Sequence, residues 1–337
     1  MQRTILISVF LTLAYFFLSG CGNSKKEKQE VNNVSEETEN PHNTQKDSVI
    51  RCSTMEVLQK HMAKNPGLRE KMEAIENHCQ TFVQLRKSGK MQDLDTIMIP
   101  TVVHVIYSNE NENISDEQIY SQIEVLNQDF TKSNTDLDQI PEEFSSLSTN
   151  TKIHFDLDSI IRVSSTRTAW GTGDQMKFSS VGGSDVIDSS KNLNIWVCNI
   201  GVGILGYAQF PGDNAMTDGI VVSPQFFGTM GSATAPFDKG RTTTHEVGHW
   251  LNLRHIWGDG NCSLDDFVED TPPSDGPNYG CPTYPTVRCN TNDMTMNYMD
   301  YSDDACMHMF TEGQKNRMRA VFAEGGPRES FVKSMIP

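Results

Sequence analysis

Positive charge is in short supply in this chain. Its 337 residues carry 28 Lys and Arg against 44 Asp and Glu, a net charge of −16. That balance excludes a nucleic-acid binder, because a phosphate backbone is held by clustered cations, and an electrostatic docker on anionic lipid. Long apolar runs are also scarce. The only one covers residues 5–18, so a multi-span membrane protein is excluded. Eight cysteines include no C-x-x-C, which argues against a zinc ribbon, and there is no internal repeat. A soluble, acidic, globular protein remains, long enough for one or two domains.

The N-terminus reads as an address. Arg3, the short apolar stretch at 5–18 and the small residues before Cys21 describe an export signal over residues 1–20. Leu18-Ser19-Gly20-Cys21 resembles the lipobox of bacterial lipoproteins. The resemblance implies that Cys21 becomes a lipid anchor, the chain's sole contact with a membrane. Gly22 in place of Asp resembles the class sorted to the outer membrane or cell surface, with release on maturation left open. A soluble secreted protein is the alternative. Residues 22–50 have no aromatic side chain and are dominated by Lys, Glu, Asn and Ser, so 21–50 is expected to be a flexible tether.

Residues 54–87 carry a helical stripe: Leu68, Met72, Ile75, Cys79, Phe82 and Leu85, with Pro66-Gly67 separating a shorter helix before it. Strands are expected at 97–107, 152–160, 193–200 and 219–227. Ser115 and Gln118 form an S-x-x-Q capping box that opens a helix with Ile119, Ile123, Leu126 and Phe130 on its apolar face. A further helix spans 242–251. A Gly/Pro/Asp/Cys-rich stretch follows at 258–293, then a last helix capped by Thr311 and Gln314. The expected organisation is a helical segment at 51–92 before one α/β domain at 93–330, with an upper part to 255 and a lower part at 256–330.

The chemistry is concentrated in His245-Glu246-Val247-Gly248-His249-Trp250-Leu251-Asn252-Leu253-Arg254-His255. On a helix, His245 and His249 lie one turn apart on one face, so both imidazoles reach a single ion; Glu246 is offset, suited to polarise water rather than to ligate. An unbroken helix would turn His255 about 240° away from His249. The helix must therefore stop between them, and Asn252 is the expected breaker because Asn tolerates the left-handed conformation. Three neutral imidazoles then leave a fourth tetrahedral position for water, the mark of a catalytic zinc site.

The extended motif resembles that of metzincins, H-E-x-x-H-x-x-G-x-x-H, with Asn252 where most members have Gly. Asn297-Tyr298-Met299-Asp300-Tyr301 resembles their Met-turn. GYAQFP at 206–211, DGIVVSP at 218–224, HIWGDG at 255–260 and MNYMDYSDDACM at 296–307 are similar to the pappalysin family, in its bacterial cytophagalysin branch. The resemblance covers about 51–325. It implies an α/β (α+β) metzincin-type fold: a mixed five-stranded sheet, an active-site helix with a backing helix, and an irregular disulfide-stapled C-terminal subdomain behind a helical propeptide. It implies a zinc metalloendopeptidase that acts on proteins or peptides, expected to be a monomer, with zinc on His245, His249 and His255. Glu246 would be general base, Tyr301 an oxyanion donor (or merely a packed aromatic), and Met299 the apolar floor. An acidic residue at Asp304 lines the pocket for the side chain just after the cut bond in relatives, favouring Arg or Lys; a solvated acidic turn is the plainer reading.

Sequence alone allows three pairings of Cys262, Cys281, Cys289 and Cys306; similarity to the family suggests Cys262–Cys289 and Cys281–Cys306. Cys79 and Cys198 are expected to be buried thiols. Arg51-Cys52-Ser53-Thr54 resembles the R-C-G-T of family propeptides, which implies that Cys52 occupies the fourth zinc position in a latent zymogen; a Cys52–Cys79 disulfide is the alternative. Activation would need cleavage between Arg86 and Asp95. The oxygens of Asp259, Asp265, Asp266, Glu269, Asp270 and Thr271 suit a structural calcium, against a merely solvated acidic loop. The rival from another class is a non-catalytic surface lipoprotein that keeps the fold as a scaffold.

Overall fold

β1 (Ile97–Tyr107) is apolar on both faces because it lies inside the sheet, parallel to β2 (Ile153–Ser164) on one side and to β3 (Leu193–Val197) on the other. β5 (Ile220–Val222) continues the parallel set, and β4 (Gly206–Ala208) closes the edge antiparallel to it, giving the order β2-β1-β3-β5-β4. The computed structural model describes residues 49–91 and 95–333. The expected signal, the Cys21 anchor and the tether through residue 48 lie outside the described residues, as do 92–94 in the expected cleavage window. No described helix is long and apolar enough to cross a membrane.

Alternation within the strands sorts the core into two layers. Val103, Val105, Ile195, Val197, Ile220 and Val222 face the helices α3 (Asp116–Phe130) and α5 (Arg241–Trp250). Ile106, Trp196, Tyr207 and Val221 face the other way, against Trp170 and Met176. α3 backs α5 through polar ties: Thr243 donates to Gln122 (2.8 Å) and Thr244 to Asp129 (2.7 Å), while Asp129 also accepts the Tyr298 hydroxyl (2.8 Å). The turn α4 (Glu142–Ser145) separates α3 from β2. Beyond α5 the chain is mostly irregular, with a two-stranded hairpin of β6 (Val287–Arg288) and β7 (Thr291–Asn292), α6 (Glu312–Ala320) and the terminal α7 (Glu329–Lys333). Disulfides join Cys262 to Cys289 and Cys281 to Cys306.

The N-terminal segment forms α1 (Thr54–Lys64) and α2 (Leu68–Lys87), broken at Pro66-Gly67, and both fold into the same compact unit as the sheet. Cys52, Cys79 and Cys198 are free, so no Cys52–Cys79 bridge exists.

Three sequence expectations need correction. The strand at 219–227 is only three residues long, because Pro224 opens a 3-10 turn and cannot donate to a ladder. β4 was not expected as a strand, since three residues of Gly-Tyr-Ala give no periodic signal. At α3, Ser115 caps the Gln118 N–H (3.2 Å), yet the Gln118 side chain turns to the Pro224 and Phe227 carbonyls instead of completing a box. The complete capping box is at α6, between Thr311 and Gln314.

Candidate active site

α5 places His245 and His249 on one face, and the chain then reverses. Asn252 has φ +73°, and the Leu253 N–H closes back on the Gly248 carbonyl at 2.9 Å. The left-handed residue ends the helix and returns His255 to the same point. The Nε2 of His249 lies 3.1 Å from the Nε2 of His245 and 3.1 Å from that of His255. Each Nδ1 faces an acceptor: the Tyr298 carbonyl (2.7 Å), the Leu253 carbonyl (2.8 Å) and the Asp259 carboxylate. Those acceptors put the protons on Nδ1, so three Nε2 lone pairs converge on one point. Burial pushes His245 and His249 well below the usual imidazole range, which keeps them neutral. A buried set of three imidazoles aimed at one point fits a divalent metal.

The fourth member of this cluster comes from the N-terminal segment. Cys52 Sγ and one nitrogen of each histidine all lie within 4.8 Å of one another. Cys52 also donates to Glu246 Oε2 (3.5 Å), and the same oxygen accepts the Thr54 hydroxyl at 2.8 Å. Glu246 is fully buried, its Oε1 has no hydrogen-bond partner among the described residues, and burial pushes its pKa up to about 8. The segment is held along β4 and the residue before it: Leu205 N–H donates to the Ile50 carbonyl (3.1 Å), Ser53 N–H to the Gly206 carbonyl (3.0 Å), and Ala208 N–H to the Thr54 side-chain Oγ1 (2.8 Å).

Met299 is fully buried, with its sulfur packed against Gly248 of α5. A Cβ at Gly248 would overlap its sulfur, which is why position 248 carries no side chain. Tyr301 packs edge-on against His255 (4.9 Å between centroids), and its hydroxyl donates to the Cys52 carbonyl at 3.4 Å. His255 stacks on Trp257, and Phe210 lies 5.4 Å from His249.

Asp304 is fully buried. Its Oδ2 accepts the backbone N–H groups of Lys239 (3.0 Å) and Arg241 (3.2 Å), its Oδ1 is unpartnered among the described residues, and burial pushes it up to about 6. The side chain of Arg51 enters this acidic corner. It stacks over Phe237 (3.9 Å), donates to Asp303 (3.3 Å) and to the Ser302 carbonyl, and lines a small cavity with His245, Tyr301 and Met307. Direct pairing thus falls to Asp303, which the sequence reading passed over, with Asp304 a deeper charge. In the expected calcium loop, Asp266 is buried and pushed well above the usual carboxylate range by burial, with both oxygens facing Thr271 Oγ1 (2.9 Å each). Asp270 instead caps α6, accepting from Thr311 (2.6 Å) and Gly313 (2.8 Å).

Comparison with known proteins places this geometry. The peptidase family model described as pregnancy-associated plasma protein-A matches residues 179–323. An extracellular metalloprotease of Coccidioides posadasii is 32% identical over 252 residues, which cover 71% of this chain and 82% of the relative. Among solved structures, mature mirolysin of Tannerella forsythia in complex with a cleaved peptide is 47% identical with a TM-score of 0.69, covering 71% of this chain and 96% of that one. A mutant of promirolysin from the same organism is 42% identical with a TM-score of 0.75, covering 83% of this chain and 96% of that one.

Proposed function

The chain belongs to the pappalysin family of metalloproteases and is a metalloendopeptidase acting on proteins or peptides; from that premise we propose that its metal is zinc, held by His245, His249 and His255, and that it is made as a latent, exported precursor. The observation that carries the reading is the convergence of three Nε2 atoms beside a buried carboxylate with one oxygen unpartnered. Zinc there supplies Lewis acidity and lowers the pKa of water towards neutrality.

Glu246 is the general base: it takes a proton from the attacking water and passes it to the leaving amine. Its neighbour Gly206 leaves β4 close above the carboxylate, since a Cβ there would sit 3.2 Å from Glu246 Cγ. The Tyr301 hydroxyl, once released from the Cys52 carbonyl, donates to the developing oxyanion. Met299 supports the histidines from below by packing. The corner that holds Arg51 is the pocket for the residue after the cut bond, and Asp303 and Asp304 favour Arg there, or Lys.

Latency follows from two contacts. Cys52 Sγ would join the three histidines in holding the metal while Thr54 holds Glu246, so both reacting groups would be engaged by residues of the propeptide, 51–92. The longer match to promirolysin than to mature mirolysin, 83% of this chain against 71%, supports that division. We further propose calcium at Asp266, with Thr271 and the Val268 carbonyl beside it. For location, the extracellular naming of the relatives supports secretion, and the Leu18-Ser19-Gly20-Cys21 sequence supports a lipid anchor in the cell envelope. A monomer is proposed.

The test is mass spectrometry of peptides released by the matured, zinc-loaded enzyme, beside Glu246→Ala. Cuts before Arg that depend on Glu246 support the reading; no cleavage by metal-replete wild type overturns it.

A further inference from the structure

His61, on α1 of the propeptide, is gripped by two carboxylates from separate parts of the domain. Its Nδ1 is 2.5 Å from Asp213 and its Nε2 is 2.8 Å from Asp174. Both carboxylates are nearly buried, with 7% and 8% of their side chains exposed. The two differ in what else holds them. Asp174 also meets Lys177 at 2.8 Å and the Tyr207 hydroxyl at 3.1 Å, and Lys177 is itself fixed to the Thr217 carbonyl and fully buried. Asp213 has His61 as its hydrogen-bond partner among the described residues. Two carboxylates against one ammonium leave a single negative charge, so the seat calls for one monovalent cationic group. In the precursor the imidazolium supplies it, consistent with a His61 pKa raised to about 9 by these hydrogen bonds.

We infer that Asp174 and Asp213, vacated when the propeptide leaves, form a substrate subsite for a Lys or Arg side chain on the N-terminal side of the cut bond. The inference rests on the function proposed above. Chain order sets the side. Arg51, just before Cys52, occupies the corner assigned to the residue after the cut, and His61 comes after Cys52, beyond the metal cluster from that corner. The domain side agrees: Gly206 lies at Glu246, Phe210 lies against His249, and Asp213 follows three residues later. Distance sets the position. Thr54 touches Glu246, and seven helical residues carry the chain about 10 Å from there to His61. An extended substrate at about 3.3 Å per residue covers that in three to four residues.

The experiment uses the matured enzyme and peptides with Arg after the cut and Lys, Ala or Glu at the third or fourth residue before it. Lys is expected to exceed Ala in kcat/KM on the order of tenfold at one of these positions. Asp213→Asn should bring that ratio towards one, and Asp213→Lys should shift the preference to Glu. Because each ratio is taken within one protein preparation, a fraction of misfolded variant cancels. If neither variant folds, the wild-type Lys-to-Ala ratio must still shrink as salt rises from about 0.05 to about 0.5 M. A ratio near one at both positions, a ratio unchanged in Asp213→Asn, or a salt-independent ratio overturns the inference. Failure to cut even the Ala peptide would instead sink the function proposed above.

Discussion

Replacing Arg51 by Ala in the intact precursor tests whether the acidic corner contributes to latency beside the Cys52 contact. Arg51 is 8% exposed, and three interactions hold it: the Asp303 pair at 3.3 Å, the Ser302 carbonyl and the stack over Phe237 at 3.9 Å. The ion pair is longer than a good charge-assisted bond, so it stands at the low end, about 1 kcal/mol. The carbonyl bond adds about 1 kcal/mol and the stack about another 1. Burial works against the guanidinium, whose pKa is lowered by desolvation in spite of Asp303, Asp304 and Asp300. A net loss of about 2 kcal/mol is reasonable, which raises the population of open precursor about 30-fold. The assay is the initial rate of peptide hydrolysis by precursor verified as uncleaved on a gel, beside Cys52→Ala as the positive control. Arg51→Lys, which keeps the charge but not the planar stack, should fall between. If Arg51→Ala stays within twofold of wild type while Cys52→Ala is activated, the corner has no part in latency.

Glu246→Ala should lower turnover by at least about a hundredfold while zinc content, read by elemental analysis, stays at one per chain; loss of metal instead would make Glu246 a ligand. Gly248→Ala should destabilise by about 1–3 kcal/mol in urea melts because the new methyl meets the Met299 sulfur, and Met299→Ala on that background should recover part of the loss; strict additivity would contradict the overlap. His61 is raised from 6.5 to about 9, so its contribution to precursor stability is fully present below pH 6.5 and is lost as pH rises through about 9. After allowance for solvent screening, about 1–2 kcal/mol should disappear across that window and should be missing in His61→Gln, as followed by melts at fixed ionic strength.

Local chemistry made the metal motif readable: the spacing of His245 and His249 and the left-handed tolerance of Asn252 are properties of eleven consecutive residues. The same holds for the α1–α2 break at Pro66-Gly67 and for the capping at Thr311. What was hidden depends on contacts between distant segments. Thr54 reaches Glu246 across 192 positions, and His61 reaches Asp213 across 152, with no periodicity to announce either. β4 is too short to carry a strand pattern, and its place is set by pairing with β5. The choice of Asp303 over Asp304 as the direct partner of Arg51 turns on which carboxylate the backbone of Lys239 and Arg241 has already claimed.

Both covalent bridges among the described residues fall within 262–306, and neither thiol of the N-terminal helical segment takes part in one. Apart from a bond between Cys52 and a metal on the three histidines, only noncovalent contacts would therefore hold this segment once the chain is cut after it. On the latency proposed above, a single hydrolytic event in the link would suffice to free it, with no need for a reductant or an isomerase. In the secreted setting proposed above, where such helpers are scarce, passage from dormant to working enzyme would then take one irreversible stroke.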